Sequence, residues 1–353
     1  MTREQTKQIL VGGVAIGGGA PVSVQSMCNT PTADAEATLA QIRALAAAGC
    51  EIVRVAVPDG AAADAMARIC AESPLPVVAD VHFDYKLALR CVAAGVSKIR
   101  INPGNIGGAE RVRAVAEACA GRGIPIRVGV NAGSLEKRLL EKYGAPTAEA
   151  MCESAADHAE LLERFGFSDI CLSLKANSVP LTLAAYRLAA QRFPYPLHLG
   201  VTEAGTLFQG TVQSAAGIGA ALLDGIGDTI RVSLTADPVE EVRAGIAILK
   251  AVGLRRGGAK VISCPTCGRT QIDLIAAANE VERRLSGCTR DITVAVMGCV
   301  VNGPGEAREA DYGLAGGKGE AALFRRGEVV CKVPEAQMAD ALMQMIETDL
   351  QDT

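Results

Sequence analysis

The sequence predicts a (β/α)8 TIM barrel followed by a small α+β domain. Three observations carry that prediction: eight short apolar runs alternate with helical segments, a charged residue recurs on one face of run after run, and the pattern changes abruptly near residue 255. The chain has 353 residues, which suits a barrel of about 250 plus a domain of about 100. The expected organisation is a substrate-binding barrel over residues 1–254, a linker Arg255-Arg256-Gly257-Gly258, and a cluster-type domain over 259–353.

The runs are PVSVQSM (21–27), EIVRVAV (51–57), PVVADVH (76–82), KIRIN (98–102), IRVGVN (126–131), DICLSLK (169–175), PLHLGVT (196–202) and DTIRVSLT (228–235). Ala- and Leu-rich stretches at helical spacing separate them, among them Ala35–Ala48, Leu87–Ala94 and Val239–Ala251. An open doubly wound sheet is the competing α/β solution. It would place a glycine-rich nucleotide loop after the first strand, and QSMCNTPTAD stands there instead. Hydrophobic residues make up 49% and aromatics 3%, with no Trp, so the core must be built from Val, Ile, Leu and Ala. A net charge of -4 argues against a nucleic-acid binder. No apolar stretch reaches the ~18 residues of a membrane span, and residues 1–20 lack a signal-type core. A cytoplasmic protein is expected. Twelve cysteines then read as small core residues and, for a few, as ligands, not as disulfides.

Side chains two apart on a strand point the same way. Arg54 shares a face with Ile52 and Ala56, Arg100 with Lys98 and Asn102, Arg127 with Gly129 and Asn131, Asp80 with His82, Lys175 with Ser173, His198 with Thr202, and Arg231 with Ser233. Barrel strands bury both faces, so the charged set must point into the mouth, where active sites of this fold lie. One such arginine is most simply a salt-bridged residue. Five cations are different, because each costs several kcal/mol to bury without a counterion. Asp80 and Glu203 are the nearby acidic candidates, too few to balance them. The mouth is therefore expected to bind a phosphorylated anion, which arginine forks suit.

After the barrel come a strand (KVISC), a helix (271–285), a strand (DITVAVMG), a glycine-rich loop, a hairpin (AALFRRGEVVCKV) and a last helix (335–350). Cys264-Pro-Thr-Cys267 and Cys299 stand at two strand ends, and three thiols at neighbouring strand ends favour a metal site over a redox dithiol. Cys288, Cys331 or Glu306 could supply a fourth ligand. Spacing alone leaves zinc and iron–sulfur equally open.

Cys264-Pro-Thr-Cys267-Gly-Arg and Met297-Gly298-Cys299-Val-Val-Asn302-Gly303-Pro304-Gly305-Glu306-Ala307 closely resemble the 4-hydroxy-3-methylbut-2-enyl diphosphate synthase family of the non-mevalonate isoprenoid pathway. The resemblance extends through Gln25-Ser26-Met27, Val53-Arg54-Val55-Ala56-Val57-Pro58, Ala79-Asp80-Val81-His82-Phe83, Arg100-Ile101-Asn102-Pro103, Arg127-Val128-Gly129-Val130-Asn131 and Gly200-Val201-Thr202-Glu203. It implies a [4Fe–4S] cluster held by Cys264, Cys267, Cys299 and Glu306. It also implies a cyclic diphosphate substrate, 2-C-methyl-D-erythritol 2,4-cyclodiphosphate, held by Arg54, Arg100, Arg127, Asn131, Lys175, Arg231 and Ser233. Asp80, Glu203 and Glu306 are the catalytic candidates, with Glu203 as proton donor, and a flavodoxin or ferredoxin brings the electrons. Cys28 stands where the family carries Thr, which would set a thiol near the mouth. The large inserted domain of plant-type members is missing, so the shorter bacterial arrangement is expected.

A homodimer is expected as well. The last barrel helix spans ~20 Å away from the mouth and a linker of about five residues reaches ~18 Å. Each cluster domain is then better placed to cap a partner's barrel, as the family resemblance also implies. The rival readings are a phosphate-binding aldolase or condensing-type barrel with a structural zinc domain, and a non-enzymatic iron–sulfur carrier.

Overall fold

The computed structural model describes residues 2–102, 106–299 and 308–351. Two compact units divide the chain, Met1–Arg255 and Arg256–Thr353. In the first, strands β3 (Ser23–Met27), β4 (Ile52–Ala56), β5 (Val77–Asp80), β6 (Lys98–Ile101), β7 (Ile126–Asn131), β8 (Ile170–Lys175), β9 (His198–Leu199) and β10 (Thr229–Ile230) pair in parallel, in the order β8-β7-β6-β5-β4-β3-β10-β9. A parallel bridge from Leu172 to Leu197 joins the two ends of that order. Helices follow the strands, among them Ala35–Ala47, Gly60–Glu72, Tyr85–Ala93 and Pro238–Ala251.

Alternation along the strands makes two separate interiors. Val53, Val55, Val77, Ala79, Ile99, Ile126, Val128 and Leu172 face outward and pack under the helices in one large apolar layer. Burying each such side chain contributes about 1.5–3 kcal/mol. Their strand neighbours face the barrel axis. Four of the helices that follow strands start on an aspartate cap: Asp34 accepts from the Ala37 N–H, Asp59 from Ala62, Asp84 from Lys86 and Asp237 from Val239.

A hairpin not expected from the sequence closes the opposite end. Strands β1 (Ile9–Val11) and β2 (Val14–Ile16) are antiparallel, joined by Gly12 and Gly13, both at positive φ. Two such residues are what a tight hairpin turn demands. Ile9, Val11 and Ile16 pack against Ile52, Val78 and Cys171, sealing the barrel floor.

The second unit is a five-stranded sheet, β11 (Ala259–Ser263), β12 (Ile292–Met297), β13 (Tyr312–Gly316), β14 (Glu320–Arg325) and β15 (Glu328–Pro334), with helices Leu274–Leu285 and Met338–Gln351. Strand β13, expected as loop, is central to the sheet. Its glycines are not turn residues: a Cβ at Gly316 would come within 2.7 Å of Ile272, and one at Gly313 would enter the Phe324 ring. Close packing across the sheet selects glycine there.

Candidate active site

The register sets the cations in one ring. Met27 pairs with Arg54, Asp80 with Arg100, Arg100 with Arg127, and Asn131 with Lys175. Partners in register point to the same side, so all of these face the axis. Arg54, Asp80, Arg100, Arg127 and Lys175 are buried, and Asn131, Arg231 and Ser233 are half-buried. Glu203 is exposed, on the loop after β9, with its backbone in the left-handed region at φ 55°. A glutamate held there is unusual for a non-glycine residue.

Asp80 organises one side of the ring. Its carboxylate lies 3.0 Å from Arg100 Nη1, 3.6 Å from Arg54 Nε and 3.5 Å from His82 Nε2. Burial opposes its ionisation, but Arg54, His82 and Arg100 outweigh that and hold the carboxyl well below the usual range. Among the described residues Arg54 otherwise donates to the Met27 thioether, 2.9 Å from Nη2, a weak acceptor. Burial, then Arg127, pulls the Arg54 guanidinium well below its ordinary value.

On the other side, Arg127 is 1% exposed, and its Nε and Nη1 have no hydrogen-bond partner among the described residues. Burial and then Arg100 bring it down to about 10. Lys175 is driven well below its ordinary value by burial and then by Arg127 and Arg231. These side chains need room, and two inward glycines give it. A Cβ at Gly129 would stand 2.9 Å from Arg100 Nε, and one at Gly200 would collide with the Lys175 ammonium. Both glycines belong to motifs that the sequence reading singled out for their charged neighbours.

Arg231 has a carboxylate of its own, contrary to the expectation that Asp80 and Glu203 were the nearby acids. Glu241, on the Pro238–Ala251 helix and 4% exposed, lies 3.1 Å from Arg231 Nη2 and accepts from the Ser26 hydroxyl and the Leu234 N–H. It was missed because it stands on a helix rather than a strand. Its signal was an acid in the first turn of the last barrel helix, directly beyond the Arg231 strand. Cys28 also departs from expectation. It faces the apolar layer under the helices, where burial and the neighbouring Cys50 push its thiol up to about 12.

In the second unit, Cys264 follows β11 and Cys299 lies two residues beyond β12, its parallel neighbour. The two loops are fastened together: the Gly298 N–H donates to Cys264 Sγ at 3.2 Å, and the Gln271 N–H to the Gly298 carbonyl at 2.9 Å. Gly298 permits this approach, since a Cβ there would crowd Thr270 at 3.0 Å. The Arg269 backbone N–H leads the groups that hold the exposed Cys267 thiol below its ordinary value. Free thiols with N–H groups aimed at sulfur have the donor chemistry of a thiolate-held iron–sulfur group. Among the described residues no set of three or more His, Cys, Asp or Glu side chains is close enough to hold a metal ion. The fourth predicted ligand, Glu306, lies outside the described residues, as does the loop around Asn302.

Residues 6–246 match the family model described as the GcpE TIM-barrel domain, and residues 260–348 that of the GcpE protein C-terminal domain. The chain belongs to the GcpE family. Over 345 residues it is 64% identical to a 4-hydroxy-3-methylbut-2-en-1-yl diphosphate synthase (flavodoxin) of Geobacter sulfurreducens, covering 98% of each chain. A protein of the same name from Clostridium perfringens is 58% identical over 348 residues, 99% of this chain and 100% of that one. Among solved structures, a dihydropteroate synthase (folP) from Coxiella burnetii, in complex with pteroic acid, superposes with a TM-score of 0.50 at 12% identity. That match covers 70% of this chain and 99% of that one, and it speaks for the barrel fold alone. Membership of the GcpE family disfavours the aldolase or condensing-enzyme reading. Among the described residues no helix is long and apolar enough to cross a membrane.

Proposed function

We propose that this GcpE chain reductively opens and dehydroxylates 2-C-methyl-D-erythritol 2,4-cyclodiphosphate to 4-hydroxy-3-methylbut-2-enyl diphosphate. The observation that carries this is the excess of inward cations over carboxylates at the barrel mouth: Arg54, Arg100, Arg127, Lys175 and Arg231 face Asp80 and Glu241. A diphosphate supplies the missing negative charge, and the forks of Arg54 and Arg127 match its oxygens. Asn131 and Ser233 add neutral hydrogen bonds at the rim. Asp80 holds Arg54 and Arg100 in place, so those guanidiniums need little reordering when the anion arrives.

Cys264, Cys267, Cys299 and Glu306 would hold a [4Fe–4S] cluster. When bound, it supplies single electrons at potentials low enough for reductive carbon–oxygen cleavage. Glu203, exposed and fixed at its strained backbone position, would give the proton to the departing oxygen. A flavodoxin, as in the relatives' names, or a ferredoxin would bring the electrons. We take the enzyme to work in the cytoplasm, where thiols stay reduced, and as a homodimer whose C-terminal domains cap the partner's barrel. Support for the dimer comes from Arg255, the last residue of the first unit, which is tied to Glu51 at 3.0 Å beside the start of β4. The chain therefore leaves the barrel on its floor side.

Anaerobic incubation of the purified protein with the cyclic diphosphate and reduced flavodoxin should yield the allylic diphosphate. Intact substrate after incubation with iron- and sulfide-replete protein overturns the reading. Glu306→Ala should keep the barrel's unfolding transition and lower turnover by at least about 100-fold, the scale of a lost metal-site partner. Unchanged turnover removes Glu306 from the ligand set.

A further inference from the structure

Beneath the mouth lies a second polar layer, of which the proposed reaction uses only Arg127 at its upper edge. Lys98, His198 and Thr229 are fully buried, and Ser23, Gln25 and Arg127 are 1% exposed. Ser23, Thr229 and His198 stand side by side in register on β3, β10 and β9. Gln25 faces the same interior one pleat above Ser23. Lys98 sits one pleat below Arg100 on β6, about 6.6 Å along the strand. Burial bears on both Lys98 and His198, and Arg127 is the strongest cationic neighbour of each. The hairpin closes the space below, through Ile9, Val11 and Ile16.

Each of these six side chains presents polar atoms without a hydrogen-bond partner among the described residues: Lys98 Nζ, Arg127 Nε and Nη1, both His198 ring nitrogens, both Gln25 amide atoms, and the Ser23 and Thr229 hydroxyls. Donors dominate. The Lys98 ammonium alone has three, while the side-chain acceptors are Gln25 Oε1, one imidazole nitrogen, the hydroxyl oxygens and the sulfur of Cys171, which is in register with Arg127 and whose thiol burial keeps protonated. Among the described residues no carboxylate is free for this layer: Asp228, next to Thr229, accepts from the Thr6 hydroxyl and the Leu197 N–H. Asp80 is committed to Arg54 and Arg100 one pleat higher, and Glu241 to Arg231, Ser26 and Leu234. A bound metal cation is therefore excluded by sign, and water alone would leave two positive charges uncompensated. The donors come from five of the eight barrel strands and face the axis from more than one side. That arrangement suits a spherical ion better than a planar carboxylate.

We propose that Lys98, Arg127 and His198, with Ser23, Gln25 and Thr229, form an internal site for a small monovalent inorganic anion, chloride in the cell, below the substrate. Lys98, brought down to about 8 by burial, still keeps its proton at neutral pH and so supplies the charge. His198, its imidazolium strongly disfavoured by burial and by Arg127, stays neutral and donates from one nitrogen. The site lies below the mouth, shares Arg127 with it, and does not depend on the identity of the substrate.

Crystals of the full chain, grown with the mouth occupied by the cyclic diphosphate and soaked in bromide, test the assignment by anomalous diffraction. A bromide peak within hydrogen-bonding distance of Lys98 Nζ is expected. It should persist when bromide is lowered to the tens-of-millimolar range. A peak confined to the mouth or surface, or one lost on dilution as an adventitious ion only, overturns the proposal. In solution, replacing gluconate by chloride at constant ionic strength should raise the unfolding midpoint by about 2–4 °C. Lys98→Met should abolish that difference. Thr229→Val, close in volume, should reduce it even if the lysine variant fails to fold. An equal chloride effect in wild type and the folded variants counts against the site.

Discussion

Arg100 and Arg127 lie side by side in the sheet, yet their surroundings differ. Arg100 is anchored on Asp80 at 3.0 Å, whereas Arg127 has two nitrogens with no partner among the described residues. Before any anion binds, the β4–β6 side of the mouth thus has a carboxylate shared between its two arginines, and the β7–β8 side has none among the described residues. The paired side fixes geometry. The unpaired side holds electrostatic free energy that only an anion relieves, which is how binding becomes strong without the resting fold being neutral.

The largest expected effect falls on the unpaired side. Arg127→Met should lower kcat/KM by about 100-fold or more, since a desolvated charge contact to substrate is worth roughly 3–5 kcal/mol. The same change should leave the unfolding free energy equal or raise it by about 1–2 kcal/mol, because an uncompensated buried charge is removed. Steady-state kinetics and urea unfolding on one preparation check both. A variant losing stability and activity together would erase the distinction between the two sides.

Asp80→Asn should do the reverse, costing about 3 kcal/mol of stability by stranding Arg54 and Arg100. The pH dependence follows from the depressed Asp80 carboxyl. Its stabilisation is fully present above the ordinary carboxylate value of about 4 and is lost as pH falls below it toward the folded value. Unfolding midpoints between pH 2 and 7 should therefore fall less steeply for the variant than for wild type.

A buried lysine gives a slope of the same sign at high pH, there because deprotonation relieves a buried charge. Lys98, down to about 8 in the fold and about 10.4 unfolded, binds more protons in the unfolded chain between those values. In chloride-free buffer stability should rise with pH across that window, by at most about 3 kcal/mol, and Lys98→Met should flatten the rise. Midpoints measured from pH 7.5 to 10.5 decide it. The smallest effect is expected from Gly129→Ala. Its Cβ would displace the end of Arg100, 2.9 Å away, raising KM several-fold. Stability should change by less than about 1 kcal/mol, as the crowded atoms belong to a flexible side chain.

Most of this mouth was legible because strand alternation is a rigid rule: once Arg54 and Ile52 share a face, burial of one commits the other. The eight barrel strands followed from the same rule. What escaped did so for identifiable reasons. Glu241 belongs to a helix, so no two-residue pattern ties it to Arg231. Strand β13 is rich in glycine for packing against Phe324 and Ile272, and composition alone reads such glycines as loop. The β1–β2 hairpin was overlooked although Ile-Leu-Val-Gly-Gly-Val-Ala-Ile is a hairpin pattern, because its apolar runs are only three residues long. Lys98 and His198 were seen to face inward, but their depth below the mouth depends on barrel register, which no single strand encodes. Cys28 follows Met27, whose side chain meets Arg54 inside, and one step along a strand turns a side chain to the other wall.

The hairpin stopper has a consequence for traffic. With its far end corked by Ile9, Val11 and Ile16, the barrel is a blind-ended well, so a molecule that enters by the rim must leave by the rim. Substrate and product share one doorway and cannot pass each other, and the released diphosphate must climb out through the arginines that drew its precursor in.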